Sequence, residues 1–401
     1  MEQALFAGLK VIDCASFIAG PAAATILADY GADVVKIEPP GEGDMYRALS
    51  QLPGQPVSEH NYMWLLTARG KRSVALDLKS ADGRAVLHRL VADADVFITN
   101  YPLPVRRRLG FAYDDLAPAN PGLIYAALSA YGETGPEAEK TGFDSTAYWA
   151  RSGLMDLVRA DADAPPARSV AGMGDHPSAM SLYAAIATAL YRREKTGAGG
   201  FVGTSLLANG LWANGCFVQA ALCGATVSPR PKRAAMPNAL TNLYETSDGR
   251  WFSLALLSED RQFPRLLAAI GQDAMAADPR FATTADRRRH AAALIGLLDA
   301  VFAARDLAHW RTVLDAAGIT FGIVGTLEEV ADDAQMHAIG ALARSADGAH
   351  LMVMNPLRID GAPHATPRAA PALGEHGTAV LREAGYSDAE ITRLRTLRVL
   401  A

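Results

Sequence analysis

Leu9-Lys10-Val11-Ile12-Asp13-Cys14, then Ala19-Gly20-Pro21, then Ala22 to Tyr30, Gly31 and Asp33-Val34-Val35-Lys36-Ile37-Glu38 make up the stretch that decides the fold. The first run is apolar and of strand length. Ala19-Gly20-Pro21 breaks it, the alanine-rich run reads as a helix over Ala22–Tyr30, and Gly31 suits the left-handed position that closes a helix. DVVKIE is a second strand. Strand, turn, helix and strand at this spacing form the repeating unit of a doubly wound α/β domain. The turn has no GxGxxG, so the dinucleotide fingerprint is absent.

The pattern continues outward. Strands are expected over Ser73–Leu78, Asp95–Thr99 and Leu123–Leu128, with helices over Ser80–Ala92 and Val105–Leu109. This alternation predicts a mostly parallel sheet covered on both faces. Between Pro39 and Lys71 the pattern lapses into loop chemistry, with Pro39-Pro40-Gly41 and Leu52-Pro53-Gly54. Two basic clusters stand out: Arg69, Lys71 and Arg72, then Arg106, Arg107 and Arg108. They read either as solvated faces or as cations holding a phosphate-rich ligand where open α/β sheets bind ligands.

Near the middle of the chain lies Ala171-Gly172-Met173-Gly174-Asp175-His176-Pro177, followed by an apolar helix expected over Ser178–Arg193. Asp175 reads as the N-cap of that helix, with Pro177 in its first turn. The same placement allows a second reading. A carboxylate at a helix N-terminus is favoured in its ionised form. The flanking Gly172 and Gly174 would leave N–H groups open to a ligand, so Asp175 could act as a nucleophile beside an oxyanion site.

Composition narrows the function. Of 401 residues half are hydrophobic and a fifth charged, as in a soluble protein long enough for two domains. The formal net charge of -5 gives no general attraction to nucleic acid or an anionic membrane. The three cysteines, Cys14, Cys216 and Cys223, form no CxxC and no metal-ligand spacing, and they fit a reducing compartment. No signal peptide is expected at the N-terminus, and no apolar run approaches the roughly 20 residues that span a bilayer. A cytoplasmic protein is the expectation. Past Cys223, the basic, proline-rich Ser228–Arg233 reads as a linker. A hairpin over Leu243–Leu256 and helices from Asp260 to Gly318 then suggest a smaller α+β domain, and the last thirty residues read as helical.

Leu9–Asp13, Ala19-Gly20-Pro21 and Leu27–Gly41 together resemble the opening of the family III CoA-transferases, the group of formyl-CoA transferase and the carnitine CoA-transferase. Asn100, Arg108-Leu109-Gly110, Tyr131–Pro136, Gly142-Phe143-Asp144, Gly174-Asp175, Lys195–Gly199, Tyr244 with Asp248-Gly249, Gly322 and Leu373–His376 follow in that family's order. The resemblance runs from about residue 8 to 390. It implies a large Rossmann-like domain, 1–225 with 340–401, whose parallel sheet is built from both chain ends. It also implies a linker and small α+β domain over 226–339, and a homodimer of interlocked rings.

The implied activity is transfer of CoA from an acyl-CoA thioester to a carboxylic acid. Asp175 is the implied nucleophile, passing through aspartyl anhydride and aspartyl-CoA thioester intermediates, with Gly174 and Glu133 beside it. CoA is a substrate here, and no metal or tightly bound cofactor is implied. Ala19, Asn100 and Arg108 match positions around CoA, and Lys71 and Arg72 sit in a segment that approaches its adenine and ribose in the family. A glutamine near the thioester in formyl-CoA transferase is Ile18 here, and an arginine after the second strand is Pro39, which separates this chain from the oxalate–formate pair. Two other readings stand beside this one. The α-methylacyl-CoA racemases share the fold and pair the aspartate with a histidine, where this chain has Phe143, and phenylalanine cannot carry a proton. The last reading is an acyl-CoA-binding protein without turnover.

Overall fold

The computed structural model describes residues 4–401. Six strands form its main sheet: β1 (Lys10–Asp13), β2 (Asp33–Glu38), β3 (Arg72–Ala75), β4 (Val96–Thr99), β5 (Ile124–Ser129) and β6 (Gly200–Ser205). They lie in the order β3-β2-β1-β4-β5-β6, and every neighbouring pair is parallel. Strands β4 and β5 are near-continuous apolar runs because both of their faces are buried, while β2 is as deeply buried but carries Lys36 and Glu38, whose charges are paired. β6 is an edge strand, and its Phe201 and Gly203 are exposed.

The helices that matter for the site are α1 (Ala19–Asp29), α2 (Ala81–Ala92), α3 (Leu103–Arg108), α4 (Asp175–Thr196), α5 (Leu206–Ala213), α6 (Gly215–Leu222), α7 (Gly377–Glu383) and α8 (Asp388–Thr396). α1 begins three residues before the expected Ala22. Gly20 and Pro21 lie in its first turn, where the missing N–H of proline leaves no bond unmade. All of α1 is buried, and a Cβ on Gly20 would come within 2.6 Å of the Ala15 side chain. Glycine there lets the helix start seat directly on the loop after β1.

One compact unit takes the chain up to Met155, Arg168–Cys223 and Ala334–Ala401. Its six parallel strands all fall within the first 205 residues, so the expectation of a sheet built from both chain ends is corrected. The C-terminal segment supplies cover instead. Val380, Leu381, Ile391 and Leu394 of α7 and α8 bury themselves in the same core as Val74, Phe97 and Tyr125, and the segment meets the strand layer at β3 through single hydrogen bonds and an isolated Leu76–Leu400 bridge rather than as a further strand. Short helices suit this role because they need only an apolar stripe, whereas a further parallel strand would need its own crossover. The same unit carries a two-stranded antiparallel ribbon, Leu342–Arg344 with Leu351–Val353.

The second unit comprises Asp156–Ala167 and Gly224–Asp333. Its antiparallel sheet pairs Thr241–Glu245 with Trp251–Ala255, the expected hairpin, and adds Phe321–Ile323. Helices between Glu259 and Ala316 close over a core that includes Tyr244, Phe252, Leu266, Phe302 and Trp310.

Candidate active site

The position of the site follows from strand order. The chain runs outward one way from β1 through β2 to β3, then returns to place β4 on the other side of β1. The connections leaving the carboxyl ends of β1 and β4 therefore diverge, and a crevice opens between them. A cavity of about 400 Å³ occupies it, lined by Ser16–Ala19 after β1, Asn100–Leu103 after β4, Ser129 and Ala130 after β5, and Asp175.

The loop after β1 is held from below by buried charge. Lys36 of β2 is fully buried, with Nζ 2.9 Å from Asp44 and bonded to the Ala15 carbonyl. Asp44 accepts hydrogen bonds from the Ser16 hydroxyl at 3.2 Å, the Phe17 N–H at 3.1 Å and the Tyr46 N–H at 3.0 Å. Burial alone would raise the Asp44 pKa. Lys36 and the N–H donors outweigh it, and the carboxyl is held below its ordinary range. Asn100 braces the loop from the other side: its Oδ1 accepts from Ser16 N at 2.8 Å and its Nδ2 donates to Ser16 O at 2.7 Å. Between these clamps Phe17 adopts φ 61°, a left-handed backbone that a bulky residue keeps only when its surroundings over-determine it.

Asp175 is not the N-cap. Gly174 occupies that position, Asp175 is the first residue of α4, and Pro177 falls in the first turn. Gly174 is not left open to a ligand either, since its N–H donates to Asp144 Oδ2 at 3.3 Å. Its φ of -96° is available to any residue. Glycine is needed because a Cβ would lie 2.6–2.8 Å from the Tyr148 side chain. Tyr148 and Asp144 both belong to a π-helical segment, Asp144–Ala150, of a kind that recurs at functional sites. Asp144 thus ties this segment to the start of α4 and sets a second carboxylate near the first. Burial, and then Asp144, push the Asp175 carboxyl up to about 7. The expectation that the helix terminus alone keeps it ionised gives way to that desolvation and like-charge effect.

Glu133 lines the cavity and pairs with the buried Arg106 of α3, which also reaches the Tyr125 hydroxyl at 3.4 Å. Ala19 and Asn100 line the cavity as well, but both ends of the Asn100 amide are engaged with Ser16. Arg108 is exposed at the end of α3, about 200° around the helix from Arg106, and forms no ion pair among the described residues.

Lys71 and Arg72 do not line this cavity. Lys71 is fully buried, with Nζ 2.8 Å from Asp13 and 2.7 Å from the Pro21 carbonyl. Arg72 opens β3, at the amino end of the sheet, and pairs with Asp33 and Glu383. Ligands bind beyond the opposite, carboxyl ends of the strands. His176, the neighbour of Asp175, lines a different cavity with Ala22, Ile26, Arg69 and Met354. Sequence reasoning missed the roles of Phe17, Asp44, Arg106 and Asp144. Of these, Arg106 and Asp144 carried a sequence signal, through the Arg106–Arg108 cluster and the Gly142-Phe143-Asp144 motif.

An aspartate set at the sheet's switch point agrees with what the whole chain matches: CoA-transferase family III, over residues 6–377. The chain belongs to that family. As a family III CoA-transferase it is an enzyme, and the curated relatives named below align along almost their full length. It is 32% identical over 403 residues to the (R)-2-hydroxy-4-methylpentanoate CoA-transferase of Clostridioides difficile, covering 99% of each chain. It is 35% identical over 393 residues to the acetyl-CoA:oxalate CoA-transferase of Acetobacter aceti, covering 96% of this chain and 97% of the other. Among solved structures, a CAIB/BAIF family protein from Brucella suis is 32% identical with a TM-score of 0.84, covering 95% of this chain and all of that one. No described helix of this transferase is long and apolar enough to cross a membrane.

Proposed function

We propose that this enzyme moves CoA from an acyl-CoA to a carboxylic acid through Asp175. The carboxylate attacks the thioester carbonyl, the C–S bond breaks, and an acyl-aspartyl anhydride and CoA thiolate result. The thiolate then attacks the aspartyl carbonyl, releasing the donor's acid and leaving an aspartyl-CoA thioester. The acceptor carboxylate attacks that thioester to give a second anhydride, and the freed thiolate takes the acceptor's acyl group, restoring Asp175. Each step exchanges one activated acyl bond for another, so the chemistry depends on positioning and on keeping water away from the anhydrides.

The observation that carries this reading is the placement of Asp175: first residue of α4, on the wall of the switch-point cavity, with a carboxyl raised to about 7. A carboxylate poised there ionises near neutral pH and is less strongly hydrated than an exposed one. Gly174 sets its position through Tyr148 and Asp144. Glu133 acts with Arg106 as a brace of the cavity wall. In this reading Ala19 and Asn100 shape the mouth that admits the thioester end of CoA, and the free guanidinium of Arg108 takes a phosphate outside it.

Phe143 stands where the racemase reading needs a base, and among the described residues no histidine lines the cavity with Asp175. A homodimer belongs to the same proposal. α6 is apolar yet buries no residue, and with α5 it exposes Trp212, Phe217 and Leu222, a face suited to a second copy. A cytoplasmic setting fits the three free thiols. The test is a panel of acyl-CoA donors against carboxylic acids, with new CoA esters read by mass spectrometry. α-Proton exchange into a 2-methylacyl-CoA in deuterated water, without an acceptor acid, would favour the racemase instead.

A further inference from the structure

The wall beside Asp175 has a feature that the transferase chemistry does not use. Phe17 and Phe143 both line the cavity and meet edge to face, with centroids 5.7 Å apart and planes at 82°. They come from distant segments, one after β1 and one at the start of the π-helical segment. Phe143 is 58% exposed, an unusual state for so large an apolar side chain at the mouth of a cavity. Phe17 is kept in its left-handed backbone by Asp44 and Asn100. The ring also packs partly against Ile18, Tyr46, Met63 and Trp64. The strained backbone aims the ring at the cavity, and such strain gathers at ligand sites.

The charge around the rings is mostly compensated, with Asp44 held by Lys36 and Glu133 by Arg106, which leaves Asp175 as the lining carboxylate without a cation among the described residues. Asp44, Glu133 and Asp175 line the cavity. Its lining cations among the described residues, Arg106 and Lys140, are paired with Glu133 and Glu137. Ile18, Met45, Leu128 and Leu206 complete an apolar surround. A substrate bringing a second carboxylate here would lose its hydration without finding a free cation, whereas an apolar acyl group would cover the exposed ring.

We infer that Phe17 and Phe143 form an aromatic jaw that sets acyl specificity, selecting apolar monocarboxylic acyl groups over those carrying a second carboxylate. This rests on the transferase reading above. The test compares kcat/KM for isovaleryl-CoA, succinyl-CoA and acetyl-CoA with one fixed acceptor, in wild type, Phe17→Gly, Phe143→Ala and Phe143→Leu. Glycine accepts the positive φ at position 17 and Phe143 is exposed, so thermal midpoints should confirm that all four proteins fold.

Wild type should favour isovaleryl-CoA over succinyl-CoA by about tenfold or more. Phe17→Gly and Phe143→Ala should each shrink that ratio severalfold while acetyl-CoA changes less than about threefold, and Phe143→Leu should keep most of the preference. Equal use of succinyl-CoA by wild type would overturn the jaw, and so would a common loss on all three donors in the variants. No turnover with any donor would bring down the transferase reading and the jaw with it. Turnover without preference would bring down the jaw alone.

Discussion

At the scale of single residues, the account turns on one carboxyl whose environment works against its charge. Asp175 should lose its nucleophile on replacement, and Asp175→Ala or Asp175→Asn should reduce transfer by about 10³-fold or more in a steady-state assay with the protein folded. The active form is the carboxylate, so kcat/KM should fall as pH drops through about 7, and the profile should report that ionisation. Stability runs the opposite way. The unfolded chain gives up this proton near 3.8 and the folded chain keeps it to about 7, so between those values the folded state binds more protons and stability declines as pH rises. Removing the charge should therefore help: Asp175→Asn should be more stable than wild type at pH 8 by about 1–3 kcal/mol, converging with it near pH 4 in denaturant melts. Arg108→Ala should raise the acyl-CoA KM about tenfold and change kcat little, because a phosphate contact outside the cavity binds ground and transition states alike.

At the scale of elements, two junctions shape the site, and they were legible to different degrees. Strands β1, β2, β4 and β5 lie within a residue or so of the expected ranges because each is a short run with an apolar or β-branched centre bounded by turn chemistry. α1 begins three residues early, at Ala19, because Pro21 read as a boundary although it fits a first turn, whereas α4 begins at Asp175, one residue ahead of the N-cap reading that already set Pro177 in its first turn. The polarity of β3 already implied that Lys71 and Arg72, which lead into it, sit at the amino end of a parallel sheet. The π-helical segment was not legible, because its meaning lies in the tertiary contact of Tyr148 and Asp144 with Gly174. That contact is testable. Gly174→Ala drives a methyl group into Tyr148 and should destabilise by about 1–3 kcal/mol in a denaturant melt. It should also lower kcat more than it raises the acyl-CoA KM, since it displaces the residue next to Asp175 and leaves the outer mouth intact.

For the molecule as a whole, the doubly wound sheet explains why the site forms where it does, and the exposed α5–α6 face bears on what the fold does next. A sheet whose strand order reverses between β1 and β4 opens its crevice there whatever side chains fill it. The residues then decide the chemistry, and those decisions were only partly visible in sequence, through motifs such as Gly174-Asp175. α6 is apolar in composition yet buries no residue, so a second surface is needed to cover it. Light scattering should give twice 42.4 kDa for wild type. Phe217→Glu combined with Trp212→Glu should abolish the dimer, because charged groups at the centre of such a face would be desolvated without partners.

The most direct test of the central claim is a trapping experiment. The enzyme is incubated with an acyl-CoA and no acceptor acid, quenched with neutral hydroxylamine, digested, and its peptides sequenced by mass spectrometry. The account predicts a hydroxamate at Asp175 that forms only with acyl-CoA present and is absent from Asp175→Asn. CoA transfer proceeding at full rate with Asp175 unmodified, or the label appearing on Glu133 or Asp144 instead, would contradict it.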